Sequence, residues 1–136
     1  MSNNNNCDIV HGRHYRGNQL GDNYYRYRDH NHEFVSSTNY EEDENCEEHN
    51  HRIAGTTGPA IRVGLSHVHR IEDVTDTFND HNHRVCVTTG PAIYISRNKH
   101  IHIVQGQTSF NDGHDHDYFF TTLIDDPSNV PNTNER

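Results

Sequence analysis

Along most of this chain, histidines and apolar residues alternate with polar ones at a period of two, and that period predicts strands. His81, His83, Val85 and Val87 fall on one face of an extended segment, with Asn82, Arg84 and Cys86 on the other. The same H-x-H-x-apolar register recurs at His30, His32, Phe34; His49, His51, Ile53; His67, His69, Ile71; His100, His102, Val104; and His114, His116, Tyr118. A helix would turn positions i and i+2 to different sides and separate each histidine pair from its apolar neighbour. Turn residues sit where this reading needs them. Asn111-Asp112-Gly113 and Asp80-His81 precede new strands, Gly58-Pro59 and Gly90-Pro91 interrupt the chain after Thr-Thr, and Ala92–Ser96 reads as a further short strand before a turn at Arg97–Lys99. No segment has a helical period. The expected fold is all-β: repeated short strands forming an antiparallel meander or a solenoid-like sheet, with histidine ladders on one face.

The strands belong to an internal repeat. All 14 histidines are paired: the six H-x-H pairs above, and His11 with His14 in a looser H-x-x-H. The first histidines of successive pairs are 19, 19, 18, 14, 19 and 14 residues apart. His49–Arg62 and His81–Tyr94 are identical at 10 of 14 positions, and Phe78–Asp80 and Phe110–Asp112 repeat a Phe-Asn-Asp element before the next pair. A unit of 32 or 33 residues with two histidine pairs describes the middle of the chain. Three regions follow: a polar arm with a degenerate repeat at 1–29, a repeat domain at 30–124 and a polar tail at 125–136. The stretch Glu41–Glu48, with its six carboxylates, reads as a solvated loop replacing the Gly-Pro-Ala-Ile segment of a degenerate unit.

Composition changes the picture in one respect: the core must be thin. Leu, Ile, Val and Phe number only 26 of 136 residues, a level at which a charged chain needs help from metal, disulfides or packing between subunits. The formal net charge of −9 argues against a nucleic-acid surface. The run Tyr24, Tyr25, Arg26, Tyr27, Arg28 is read as one amphipathic strand. Full protonation of the histidines would move the charge from −9 to +5, so acid is expected to disturb the protein. The three cysteines, Cys7, Cys46 and Cys86, form neither a closed disulfide framework nor a C-x-x-C site. They are either free thiols or links between subunits, with Cys7 on the polar arm the best placed for the second role. No signal peptide and no apolar run long enough for a membrane helix are seen, so the expectation is synthesis in the cytoplasm, with deployment on a cell or spore surface left open.

With its H-x-H pairs, its Phe-Asn-Asp segments and its Thr-Gly-Pro-Ala-Ile blocks at Thr57–Ile61 and Thr89–Ile93 in order, the chain resembles the YmaF-like family of small bacterial proteins. The resemblance covers about residues 30–124 and implies a repeat rather than an activity. Met1–Cys7 is more weakly similar to the cysteine-bearing arms of bacterial surface and endospore fibre subunits, which implies self-association.

Paired imidazoles suggest metal. Side chains two apart on a strand are ~6.6–6.8 Å apart at Cα, and a neighbouring strand is ~4.8 Å away. Two H-x-H strands side by side could therefore offer four nitrogens to one ion. Six pairs would give three such sites, or six completed by carboxylate and water. The metals expected are Cu, Zn or Ni, with Asp112, Asp115 and Asp117 as further ligands or as orienting partners of the last pair. The competing reading is a metal-free ladder of hydrogen-bonded imidazoles. Catalysis is not expected, because the sites are repeated and alike and no H-E-x-x-H, phosphate loop or nucleophile elbow is present. Cys46-x-x-His49-x-His51, with mixed ligands, is the one place where a catalytic centre could be sought. The function expected is a metal-binding structural protein that self-assembles into an oligomer or fibre; a monomeric metal buffer is the alternative.

Overall fold

The structure, a computed structural model, describes residues 29–124 of the chain. Those residues are all-β, with short strands paired antiparallel in every case. The strand pairing thus follows the antiparallel alternative. Three pairs are long, with five residues per strand. They are β1 (Glu33–Ser37) with β4 (Arg52–Thr56), β7 (Arg70–Val74) with β8 (Arg84–Thr88), and β11 (Ile103–Gln107) with β12 (Asp117–Thr121). These are the first, second and third blades. Three short pairs serve as connections: β2 (Glu41–Glu42) with β3 (Glu48–His49) inside the first blade, and β5 (Ile61–Val63) with β6 (Ser66–Val68) and β9 (Ile93–Ser96) with β10 (Lys99–Ile101) between blades.

Each long strand buries one large side chain, the second residue of the strand, two positions after the second histidine of its pair. Those six residues, Phe34, Ile53, Ile71, Val85, Val104 and Tyr118, are at most 3% exposed and form the core. The blades close into a ring, with β4 against β7, β8 against β11, and β12 against β1. Backbone hydrogen bonds seal both ends of the ring. At one end Gly58, Gly90 and Leu123 donate to the carbonyls of Arg70, Ile103 and Glu33, each at 2.9 Å. At the other, Asp76, Ser109 and Asn39 donate to Arg52, Arg84 and Asp117 at 3.0–3.2 Å. The three blades are therefore related as if by a three-fold axis, within one chain.

Turn chemistry fixes the second and third blades. Asn79 and Asp80 (φ 48° and 65°) and Asp112 and Gly113 (φ 56° and 82°) carry two-residue turns, closed by the Phe78–His81 and Asn111–His114 bridges. Positive φ at both central positions is the hairpin geometry that suits strand twist, and Asn, Asp and Gly are the residues that tolerate it. In the first blade the same place holds the longer β2–β3 segment. The acidic stretch Glu41–Glu48 therefore replaces a tight turn within a blade, and not a Gly-Pro-Ala-Ile segment as its position in the repeat suggested. Asp43 shapes it by accepting N–H bonds from Asn45 and Glu47 at 2.8 and 2.9 Å.

The core's two aromatic residues each lie over a cross-strand glycine: Phe34 pairs with Gly55 and Tyr118 with Gly106. A Cβ on Gly106 would stand 2.8–3.2 Å from the Tyr118 ring and hydroxyl. Gly106→Ala is expected to destabilise the fold by about 1–3 kcal/mol through overpacking, read as a lowered denaturation midpoint with unchanged slope.

Candidate metal centres

Each H-x-H stands at the start of its strand, and the blades are antiparallel. One histidine pair per blade therefore goes to each end, about 20 Å apart along the strands. Three blades then bring six rings together at either end. The first centre holds His30, His32, His67, His69, His100 and His102, with one nitrogen from each ring within 4.8 Å of all the others. The second holds His49, His51, His81, His83 and His114 within the same limit. His116 lies outside that limit but stands edge to face against His49, His51, His83 and His114, with ring centroids 4.8–5.0 Å away. The pairing expected from sequence, two H-x-H strands side by side around one ion, does not occur. Hydrogen-bonded strands run in opposite directions, so their histidine pairs are at opposite ends, and it is non-paired strands of three blades that meet.

The second histidine of each of the six H-x-H pairs, the ring nearest the core, is at most 1% exposed. All six of these rings are held in one way. The Nδ1–H of His51 donates to the carbonyl of Asp76, His83 to Ser109 and His116 to Asn39, each at 3.0 Å. At the other end His32 donates to Leu123, His69 to Gly58 and His102 to Gly90, each at 2.9 Å. Every acceptor belongs to the neighbouring blade, so the bonds run cyclically round each end. A carbonyl has no proton to give, so the proton must sit on Nδ1 and the lone pair on Nε2. In each case the acceptor carbonyl belongs to the residue after a buried threonine.

Those threonines, Thr38, Thr57, Thr75, Thr89, Thr108 and Thr122, are at most 5% exposed. Each accepts, through Oγ1, the backbone N–H of the second histidine on the paired strand at 3.0–3.2 Å. Sequence reasoning missed them, although the signal was present: in all six units a threonine follows the second histidine at a spacing of six.

The lone pairs face one another. His114 Nε2 is 3.2 Å from His49 Nε2 and 3.2 Å from His83 Nε2, and the Nδ1–H groups of His49, His83 and His114 are all committed to carbonyls, of Glu47, Ser109 and Asp112. A neutral imidazole has one proton, so no proton is left to lie between these three nitrogens. His69 and His116 Nε2 are likewise buried and make no hydrogen bond. In the first centre His100 Nε2 is 3.1–3.2 Å from the Nε2 atoms of His30, His32 and His67. Burial disfavours the protonated form of four of these rings. Loss of hydration is the largest cause in each case, and neighbouring imidazoles push the same way. It lowers His67 to about 3, His69 to about 2, His83 to about 3 and His116 to about 4.

Two carboxylates adjoin the second centre. Asp76 Oδ1 is 3.2 Å from His51 Nδ1 and Asp112 Oδ2 is 3.4 Å from His81 Nδ1, positions that orient a ring and raise its basicity. Asp112 was anticipated and Asp76 was not. Asp117 is exposed and accepts from Gln107, and Asp115 joins neither centre. Phe78 covers the second centre, stacked on His49 at 4.5 Å and 9°. Cys46 is exposed and free, so the mixed Cys-His-His set is not brought together. Cys86, 7% exposed, is half of a disulfide. His11, His14, Cys7 and the run Tyr24–Arg28 lie outside the described residues.

Both clusters have the donor type, convergence and orienting partners to hold a divalent transition-metal ion. Residues 27–124 match the model of the family YmaF, described as spore germination protein GerY/YamF. Comparison with curated proteins and with solved structures found no match in either.

Proposed function

The chain belongs to the YmaF family, and from that premise we propose that it is a non-enzymatic structural protein whose two histidine centres hold transition-metal ions as clamps at either end of a three-blade ring. The observation that carries this reading is the set of buried Nε2 lone pairs of His49, His83 and His114 facing one another at 3.2 Å, with the Nδ1–H of all three already spent on carbonyls. Neutral rings so placed repel, and a metal-free hydrogen-bonded ladder would need an extra proton that burial resists. A cation bound at the middle removes the conflict. It also cross-links three blades whose shared apolar core is six side chains.

Six converging nitrogens favour structure over catalysis, since a catalytic ion keeps an open position. Self-assembly belongs to the same proposal. It is supported by apolar side chains left on the surface, such as Val35, Phe110 and Phe119, and by the free thiol of Cys46. The family's description as a spore germination protein supports deployment on a spore.

Elemental analysis of natively isolated protein, never exposed to immobilised metal, tests the first part. About two ions per chain are expected, and metal-free protein would sink the reading. Its native mass tests the second: species well above the 15.8 kDa chain are expected, and a monomer whose metal exchanges freely would make it a metal buffer instead.

A further inference from the structure

We propose that both centres are built for six-coordinate, octahedral ions and therefore select the Fe(II), Co(II) and Ni(II) class over zinc. This rests on the metal-binding reading above and specifies its ligand. The arrangement of the rings is the first ground. In the second centre every ring stands edge to face against all but one of the others, at centroid distances of 4.8–5.0 Å and interplanar angles of 72–88°. The exceptions are His49 with His83, His51 with His114, and His81 with His116. Six points that fall into three opposed pairs, each point adjacent to every other except its opposite, are the vertices of an octahedron. Rings perpendicular to their neighbours are what six imidazoles need in order to fit round one ion. The first centre repeats the arrangement at 4.5–5.1 Å and 69–89°.

Size is the second ground. An octahedron's edge is √2 times its metal–ligand distance, so nitrogens 3.1–3.2 Å apart surround a point about 2.2–2.3 Å from each. That is longer than the ~2.0–2.1 Å of a Zn–N bond. Zinc in its usual tetrahedral state would take four rings and leave two lone pairs buried and unmatched, which is costly. The protein cannot readily withdraw the surplus rings, because the inner three at each end are pinned through Nδ1 to the neighbouring blade. Copper(II), with its tetragonal preference, would strain two opposed ligands. An ion with six imidazoles is also saturated, so no substrate can join it without displacing a ring.

Co(II) is the probe of choice, added anaerobically to chelator-stripped full-length chain. The expected result is two ions per chain, weak visible d–d bands, and X-ray absorption showing six nitrogens at about 2.1–2.3 Å. In competition, Ni(II) should outbind Zn(II) by on the order of tenfold or more. Intense tetrahedral bands with four nitrogens, or zinc displacing nickel, would overturn octahedral selection while leaving metal binding intact. Failure of any ion to bind would instead overturn the function proposed above. His81→Ala should leave the first centre's spectrum unchanged and perturb only the second, halving the octahedral signal; loss of both signals in a chain that remains folded would count against two separate centres.

Discussion

Stripping bound metal ions is expected to destabilise the protein severely. An ion that binds only the folded chain stabilises it by RT ln(1 + [L]/Kd), about 4 kcal/mol per site at a thousandfold excess over Kd. Two centres would then supply about 8 kcal/mol, within the ~5–15 kcal/mol that holds a typical domain together. Here the remainder is small. The core consists of Phe34, Ile53, Ile71, Val85, Val104 and Tyr118, and the metal-free rings oppose one another's lone pairs. The measurement is thermal unfolding at pH 7.5, with and without a strong chelator. At roughly 4–8 °C per kcal/mol for a domain of this size, the midpoint should fall by on the order of 30 °C or more. A shift of only a few degrees would show that the ions do not carry the fold.

In the stripped chain, stability should collapse between pH 6.5 and 5. The direction follows from the rings. Burial lowers His67, His69, His83 and His116 to about 3, 2, 3 and 4, and lowers His51 as well, whereas in the unfolded chain each returns to ~6.5. Between those values the unfolded chain binds protons that the fold refuses, so stability rises with pH. Their contribution is complete above about pH 6.5, is lost as pH falls from there, and levels off near the folded values. Each ring removes about 1.2 kcal/mol between pH 6 and 5, and the four together about 5 kcal/mol. The rings are at most 2% exposed, so screening by solvent discounts this little. Denaturant titrations at pH 7, 6 and 5 measure it directly. Flat stability across that range would mean that the rings are not buried neutral.

Much of this was legible in the residues. The period of two placed the histidine pairs and Phe34, Ile53, Ile71, Val85, Val104 and Tyr118 on one face, because strand side chains alternate whatever the strands pair with. Asn111-Asp112-Gly113 announced the tight turn that forms at Asp112-Gly113, while the turn read at Asp80-His81 forms one residue earlier, at Asn79-Asp80, because Asn, Asp and Gly are the residues that tolerate positive φ at both central positions. The threonine six residues after each second histidine was also there to be found. Its role was hidden because it bonds the backbone of a paired strand and positions a carbonyl for a third.

What the sequence alone determined, then, was local: strand, face, turn and the number of histidine pairs. A repeat has no marked beginning, so 32 or 33 residues with two pairs could have been divided at any point. Only the tertiary structure decided that β1 pairs with β4, β7 with β8 and β11 with β12. Antiparallel pairing then sent the two histidine pairs of each blade to opposite ends, and closure of three blades gathered them into two groups of six rather than three groups of four. The physical reason is that coordination number depends on how many strand ends meet at one point, and that is a property of the closed ring and of no single segment.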